Sequence, residues 1–219
     1  GLADFSLNPD RFVFLCMADM LSIPARKNPL GVIKAFLRAA PRMPGSDLIV
    51  KISNSGHDPA ALAEIRAAAA TGPVRVLDQV LSRAEADSLL NCADCFVSLH
   101  RSEGFGLPMA EAMALGKAVI ATAYSGNMDY MNEECAFLVD YKLGSVPKGC
   151  APYRPGASWA EPSVDHAAEQ MAAVYSNSAL REKVAAAGQR RVRSELDPAR
   201  VGELMLARLR VMERRWKGG

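Results

Sequence analysis

Six short apolar runs, separated by segments with helical periodicity, constrain this chain more than any other feature. The runs are Phe12 to Met17, Leu48 to Ile52, Val74 to Leu77, Cys95 to Leu99, Ala118 to Ala121 and Ala136 to Val139. Between them, Pro29 to Ala40 carries Val32, Ile33, Phe36 and Leu37 on one stripe, and Pro59 to Ala70 is alanine-rich. Ser82 to Cys92 opens with Ser82 and Glu85 at capping-box spacing, and Leu107 to Leu115 follows a glycine turn. Strand and helix in repeated alternation predict an α/β fold: a Rossmann-like, doubly wound parallel sheet of about six strands over residues 11 to 197. Helices at 163 to 176, 178 to 195 and 198 to 216 complete the expected fold. The last carries Val201, Leu204, Met205, Leu209, Met212 and Trp216 at helical intervals, a stripe that reads as packing on the domain or on a partner.

Two stretches lack this texture. Gly144, Pro147, Gly149, Pro152, Pro155, Gly156 and Pro162 crowd 141 to 162, which reads as a long surface loop. Residues 1 to 10, with Asn8-Pro9-Asp10, resemble a linker from a further N-terminal part.

At 219 residues and half apolar, the chain has ample material for one core. A formal charge of +2 gives no reason to expect nucleic acid as a partner. Arg190, Arg191, Arg193, Arg208, Arg210, Arg214, Arg215 and Lys217 make the C-terminal end basic. A solvated helix face accounts for them, and peripheral contact with an anionic membrane is the alternative. No apolar run approaches the roughly 20 residues that span a bilayer. No charged-then-apolar leader is visible, so a cytoplasmic location is expected, with the inner face of the membrane as its variant. Five cysteines suit a reducing compartment, and Cys92-x-x-Cys95, without a second pair, reads as buried rather than redox-active or metal-binding.

Chemistry concentrates in His100 to Ala114. Glu103 and Glu111 stand eight residues apart across a turn with Gly104 and Gly106, and Pro108 suits the first turn of the helix that follows. Such a helix start carries roughly +0.5 of a charge and attracts phosphate. Glu111 is placed for ribose hydroxyls and Glu103 for sugar hydroxyls. Acidic residues near a helix start also suit its dipole without any ligand.

The continuation Gly116 to Asn127 then makes the stretch resemble the donor half of retaining glycosyltransferases of family 4, which have a Glu-x7-Glu pattern followed by a short strand and a glycine-bearing loop. Asp94 to Leu99 and Phe137 to Val139 extend the likeness, which covers most of residues 11 to 195. Asn127-Met128-Asp129 departs from the family's usual Gly-x-x-Glu. Arg26-Lys27-Asn28-Pro29, Asp19 and Trp159-Ala160-Glu161-Pro162 look like a bacterial polysaccharide-assembly branch.

The resemblance implies one half of a two-domain GT-B fold, with an acceptor-binding half missing, and a final helix that crosses to that partner. It implies transfer of a sugar from a UDP- or GDP-linked donor to a glycan or lipid-linked acceptor, with retention and without a cofactor, and an isolated fragment that is inactive. Glu103, Lys27 and Arg26 would be the catalytic set. Donor contacts would come from Glu111, Gly104, Phe105, Gly106, Leu107, His100, Ser125, Gly126 and Lys51, with Leu77 to Leu81 at the nucleobase. No Asp-x-Asp motif or His/Cys/carboxylate cluster suggests a metal, so metal independence is expected. Two other readings remain: a module that binds nucleotide sugars without transferring them, and, less favoured, a nucleotide-sugar epimerase.

Overall fold

The structure, a computed structural model, describes Phe5 and residues 7 to 217, the side chains at 215 and 217 excepted. The six apolar runs become strands β1 (Phe12–Asp19), β2 (Ser46–Ser53), β3 (Val74–Asp78), β4 (Cys95–Ser98), β5 (Ala118–Thr122) and β6 (Phe137–Val139). They form one parallel sheet in the order β3-β2-β1-β4-β5-β6. Connecting and following them are α1 (Pro24–Lys27), α2 (Pro29–Ala39), α3 (Pro59–Ala69), α4 (Arg83–Cys92), α5 (Leu107–Ala114), α6 (Val164–Ser176), α7 (Ser178–Glu195) and α8 (Pro198–Lys217).

Strand β1 shows why both faces must be covered. Phe14, Cys16 and Ala18 enter a core layer with Val32 and Phe36 of α2 and Met171 of α6. Val13 and Leu15 enter the opposite layer with Leu89 of α4, Met113 of α5 and Val192 of α7. Phe14 and Phe36 are fully buried with ring centroids 5.8 Å apart. Each such side chain contributes about 1.5–3 kcal/mol. The capping box at Ser82 and Glu85 is formed, and the five cysteines are free thiols, four of them buried.

Strand order reverses beside β1: the chain steps outward through β2 and β3, then returns to β4 on the other side. At such a switch point the connections leave in opposite directions and open a crevice beyond the C-terminal strand ends. The loop after Asp19 and the loop after Ser98 therefore face each other across it.

Two expectations need correction, and that for α8, the domain or a partner, loses the first of its two coverings. Residues 141 to 162 are not all loop: β7 (Tyr141–Ser145) and β8 (Ser158–Pro162) pair antiparallel, from Tyr141 with Pro162 to Ser145 with Ser158. Most of the breakers sit in the connection, which leaves the arms free to pair. The apolar stripe of α8 does not pack back on the domain. Leu204, Met205, Leu209 and Met212 are each more than half exposed, and Trp216 is 92% exposed. Finally, the expected linker lies partly outside the described residues, but Phe5 within it is buried against the core layer of Leu77 and Leu89.

Candidate active site

Arg26 and Lys27 owe their position to the corner that follows them. Asn28 adopts the left-handed conformation (φ 54°, ψ 47°), which asparagine tolerates better than most residues. It ends α1 and begins α2: its Oδ1 accepts from the Gly31 N–H at 3.1 Å, and its Nδ2 donates to the Leu99 carbonyl at 2.9 Å. Pro29 then opens α2 with its φ already set. The short basic helix α1 is thereby tied to the end of β4, across the switch-point crevice.

The two cations converge on Glu103. Arg26 Nη1 donates to the Ser102 carbonyl at 2.7 Å and to Glu103 Oε1 at 3.2 Å, and Nη2 donates to Ser22 Oγ at 2.8 Å. Lys27 Nζ donates to Glu103 Oε2. Burial works to raise the Glu103 carboxyl, but Lys27 and then Arg26 outweigh it and hold the group below the usual carboxylate range. Glu103 is therefore ionised at neutral pH, and its charge is shared with two cations in a largely buried setting. Arg26 keeps a buried Nε–H without a partner.

The turn after Glu103 is shaped from below. Gly106 has φ +88°, and a Cβ there would fall 2.3 Å from Met109 Cε and 3.0 Å from the Tyr130 hydroxyl. Tyr130, 1% exposed, donates toward the carbonyls of Phe105 (3.0 Å) and Gly106 (2.9 Å), and its ring lies 5.0 Å from that of Phe105. Helix α5 begins with Gly106 at its cap and no side chain capping it. Gly104, Phe105 and Leu107 are exposed, and a Cβ on Gly104 would meet nothing within 4 Å. The turn is thus exposed at Gly104, Phe105 and Leu107 and buried at Gly106.

Other expected contacts are placed differently. Ser125 and Gly126 bond to Glu103: Ser125 Oγ accepts from Glu103 N–H at 2.8 Å, and Gly126 N–H donates to the Glu103 carbonyl at 3.0 Å. A Cβ on Gly126 would stand 1.9 Å from the Gly104 carbonyl oxygen, so the two loops touch backbone to backbone. Ser125 itself has φ 73° and ψ −149°, a region that costs a non-glycine residue about 1–3 kcal/mol. That strain is borne where the loop braces Glu103.

His100 is fully buried and does not reach Glu103. Its Nε2 lies 3.1 Å from the Tyr124 carbonyl and 3.0 Å from Asn127 Oδ1, while Ser98 Oγ lies 3.0 Å from Nδ1. Two acceptors at Nε2 assign the proton to that nitrogen, leaving Nδ1 to accept from Ser98. Burial pushes its pKa below the ordinary histidine value, so the ring is a neutral pin between β4 and the loop after β5.

Glu111 pairs with Arg83 Nη1 at 2.6 Å on an exposed face. Lys51 Nζ donates to Ser53 Oγ, and burial lowers its pKa. Leu77 is buried in the core, so only its backbone can face a ligand. Leu81 lines a cavity of about 560 Å³ with Phe5, Gln79, Ala84, Glu85 and Ser88.

Three contributors escape a reading of the sequence: Arg83, Tyr130 and Arg101. Asn127 is fully buried and donates to the Thr122 carbonyl at 3.0 Å. Arg101 reaches Glu161 with Nε and Nη2, both at 2.7 Å, and lies over the Trp159 ring at 5.3 Å. Its place next to His100, inside the motif, was the one available signal.

Among the described residues no three or more His, Cys, Asp or Glu side chains are grouped to hold a metal ion, and no helix is long and apolar enough to cross a membrane. Fold and site together define a doubly wound α/β domain whose switch-point crevice is lined by two cations, a carboxylate and an open glycine turn. The chain belongs to the glycosyl transferases group 1, whose family model matches residues 11 to 144. No curated protein matches it.

Among solved structures, HepE of Anabaena in complex with UDP and glucose is similar with a TM-score of 0.71 at 17% identity, over 92% of this chain and 49% of that one. The C-terminal domain of the group 1 glycosyl transferase LpcC of Francisella tularensis gives 0.66 at 22% identity, over 90% and 91%. Sucrose-phosphate synthase of Thermosynechococcus elongatus gives 0.69 at 18%, over 98% and 48%. At these identities the likeness is one of fold, and the chain spans about half the length of HepE.

Proposed function

We propose that this chain is the donor-binding domain of a retaining glycosyltransferase of family 4, which transfers a sugar from a nucleoside diphosphate sugar to a glycan or lipid-linked acceptor held by a second domain. The observation that carries this reading is the convergence of Arg26, Lys27 and Glu103 beside the turn 104 to 107, exposed at Gly104, Phe105 and Leu107, at the switch point of the sheet. HepE structures in complex with UDP and with UDP-glucose are in keeping with a UDP-linked donor.

Leaving of the diphosphate builds negative charge on its oxygens. Fixed cations and oriented amides stabilise such charge without having to reorganise, an effect worth about 2.7–4 kcal/mol for one donor group elsewhere. Lys27 and Arg26 would supply it in place of a divalent ion. In the unliganded chain Glu103 satisfies both cations. On binding, the donor phosphates would share them, and Glu103 would turn a carboxylate oxygen to the sugar and to the positive charge of an oxocarbenium-like state. Glu111 would leave Arg83, an exposed and therefore weak pairing, for the ribose. We place the protein in the cytoplasm, in a polysaccharide-assembly role.

Calorimetry with UDP, GDP and their sugars tests the proposal. Micromolar to millimolar binding by the folded chain, weakened in a Glu111→Ala variant, is expected. Absence of binding to every nucleotide tried, or identical binding by the variant, would remove its basis. A binding module without transfer would pass this test but would show no Glu103-dependent product in the full-length enzyme.

A further inference from the structure

We propose that Arg101 is a positioning residue, and that through it the β7–β8 hairpin sets the placement of the cationic helix α1 in the crevice. The inference rests on the donor-binding reading above. One guanidinium joins two elements, β8 and α1. Its Nε and Nη2 hold Glu161 of β8 in a two-pronged pair at 2.7 Å each, its Nη1 donates to the carbonyl of Ala25 in α1 at 2.5 Å, and its plane covers Trp159.

The backbone repeats the connection. Arg101 N–H donates to the Arg26 carbonyl at 2.8 Å, and Ala160 N–H donates to the Arg101 carbonyl at 2.9 Å. Apolar contact adds to it: Val146, Cys150 and Trp159 on the hairpin side form a small buried cluster against Ile23 and Ala25. Nothing in this cluster belongs to either main core layer.

Helix α1 is four residues long and has no side-chain cap at its start, so it cannot hold its own geometry. Its position has to be imposed from both ends. Asn28 does so at one end, and Arg101 with the hairpin does so at the other. Arg101 touches neither Glu103 nor the open turn by any hydrogen bond. It acts on a ligand through the placement of Arg26 and Lys27. Lysine cannot replace it, because a point charge makes neither the planar fork nor the stack on Trp159.

The test is calorimetry of the 219-residue chain with UDP and UMP, and with GDP and GMP, in the parent, Arg101→Lys and Glu161→Gln. Glu161 is half exposed, so its variant keeps the comparison valid if Arg101→Lys should not fold. Since the α1 cations are proposed to hold the diphosphate, we expect Arg101→Lys to weaken the preferred diphosphate about tenfold, the lower end of what loss of an outer-shell hydrogen bond costs a bound metal. The monophosphate should change by less than about twofold, and Glu161→Gln should move the ratio the same way by a smaller factor. An unchanged ratio of diphosphate to monophosphate affinity in both variants, whether or not overall binding falls, would overturn the proposal. If the parent binds no nucleotide at all, the donor-binding reading fails and takes this one with it.

Discussion

Alanine substitution at two glycines of one turn separates what the fold needs from what a ligand needs. Gly106 sits at φ +88°, where a side chain costs about 1–2 kcal/mol. The new methyl would also lie 2.3 Å from Met109 Cε and 3.0 Å from the Tyr130 hydroxyl. Met109 is 1% exposed, so its end can swing only by disturbing packed neighbours. Overpacking of that kind costs about 1–3 kcal/mol. The sum is centred on about 3.5 kcal/mol, which for a domain of this size lowers Tm by about 7–14 °C.

Gly104 has no such constraint: its φ is not positive, and a Cβ there meets nothing within 4 Å. Gly104→Ala should therefore melt with the parent to within about 2 °C. Its methyl would nevertheless project from the exposed turn where the donor is proposed to approach, and nucleotide affinity should fall about tenfold. Thermal denaturation by circular dichroism and calorimetry on the same samples provide the two readouts. A Gly106→Ala protein as stable as the parent would refute the steric reasoning. A Gly104→Ala protein with parental affinity would refute the approach of a ligand at that turn.

Other consequences are as specific. Since Lys27 and Arg26 hold the Glu103 carboxyl below its unfolded value, its contribution to stability is complete above the ordinary carboxylate pKa of about 4.3 and is lost as pH falls through the lower folded value; the stability gap between parent and Glu103→Gln, by urea denaturation, should close on acidification and not on alkalinisation. His100 should remain neutral with the proton on Nε2 below pH 6.5, seen in nitrogen-detected imidazole NMR spectra, and an ordinary titration near 6.5 would contradict its burial between Ser98, Tyr124 and Asn127. The same depressed pKa means that its share of stability is present above about pH 6.5 and is lost as pH falls below it. Removing α8 from Pro198 onward should change Tm by less than about 4 °C, because its large apolar side chains are exposed; a larger loss would mean that the helix packs on the domain.

The fold was legible because its determinants are local. Strand runs such as Leu48 to Ile52 and helical stripes such as Val32 to Leu37 announce themselves by period, and right-handed crossovers leave few ways to arrange them. The hairpin was not legible, since breakers at 147 to 156 mask the short arms on either side of them. Nor was the fate of α8: an apolar stripe states that something should cover it, and the sequence holds no record of what. Within the site, Glu103 could be picked out from its spacing to Glu111 across the glycine turn, and Lys27 from the family resemblance. Their mutual pairing, the Tyr130 prop beneath the turn and the Asn127 bond to His100 join residues 24 to 76 positions apart, which no local pattern encodes. Ser125 and Gly126 look from the sequence like ligand contacts; the structure adds that the Ser125 Oγ and the Gly126 N–H also bond the backbone of Glu103.

Backbone amide chemical shifts, followed while UDP or GDP is titrated into the isotopically labelled chain, test most directly whether the crevice between α1 and the glycine turn takes a nucleoside diphosphate. Saturable shifts should concentrate at Lys27, Glu103, Gly104 to Leu107 and Glu111. Shifts that cluster instead at the cleft of about 340 Å³ lined by Pro29, Ala61, Glu64 and Cys150, or none at millimolar nucleotide, would contradict it.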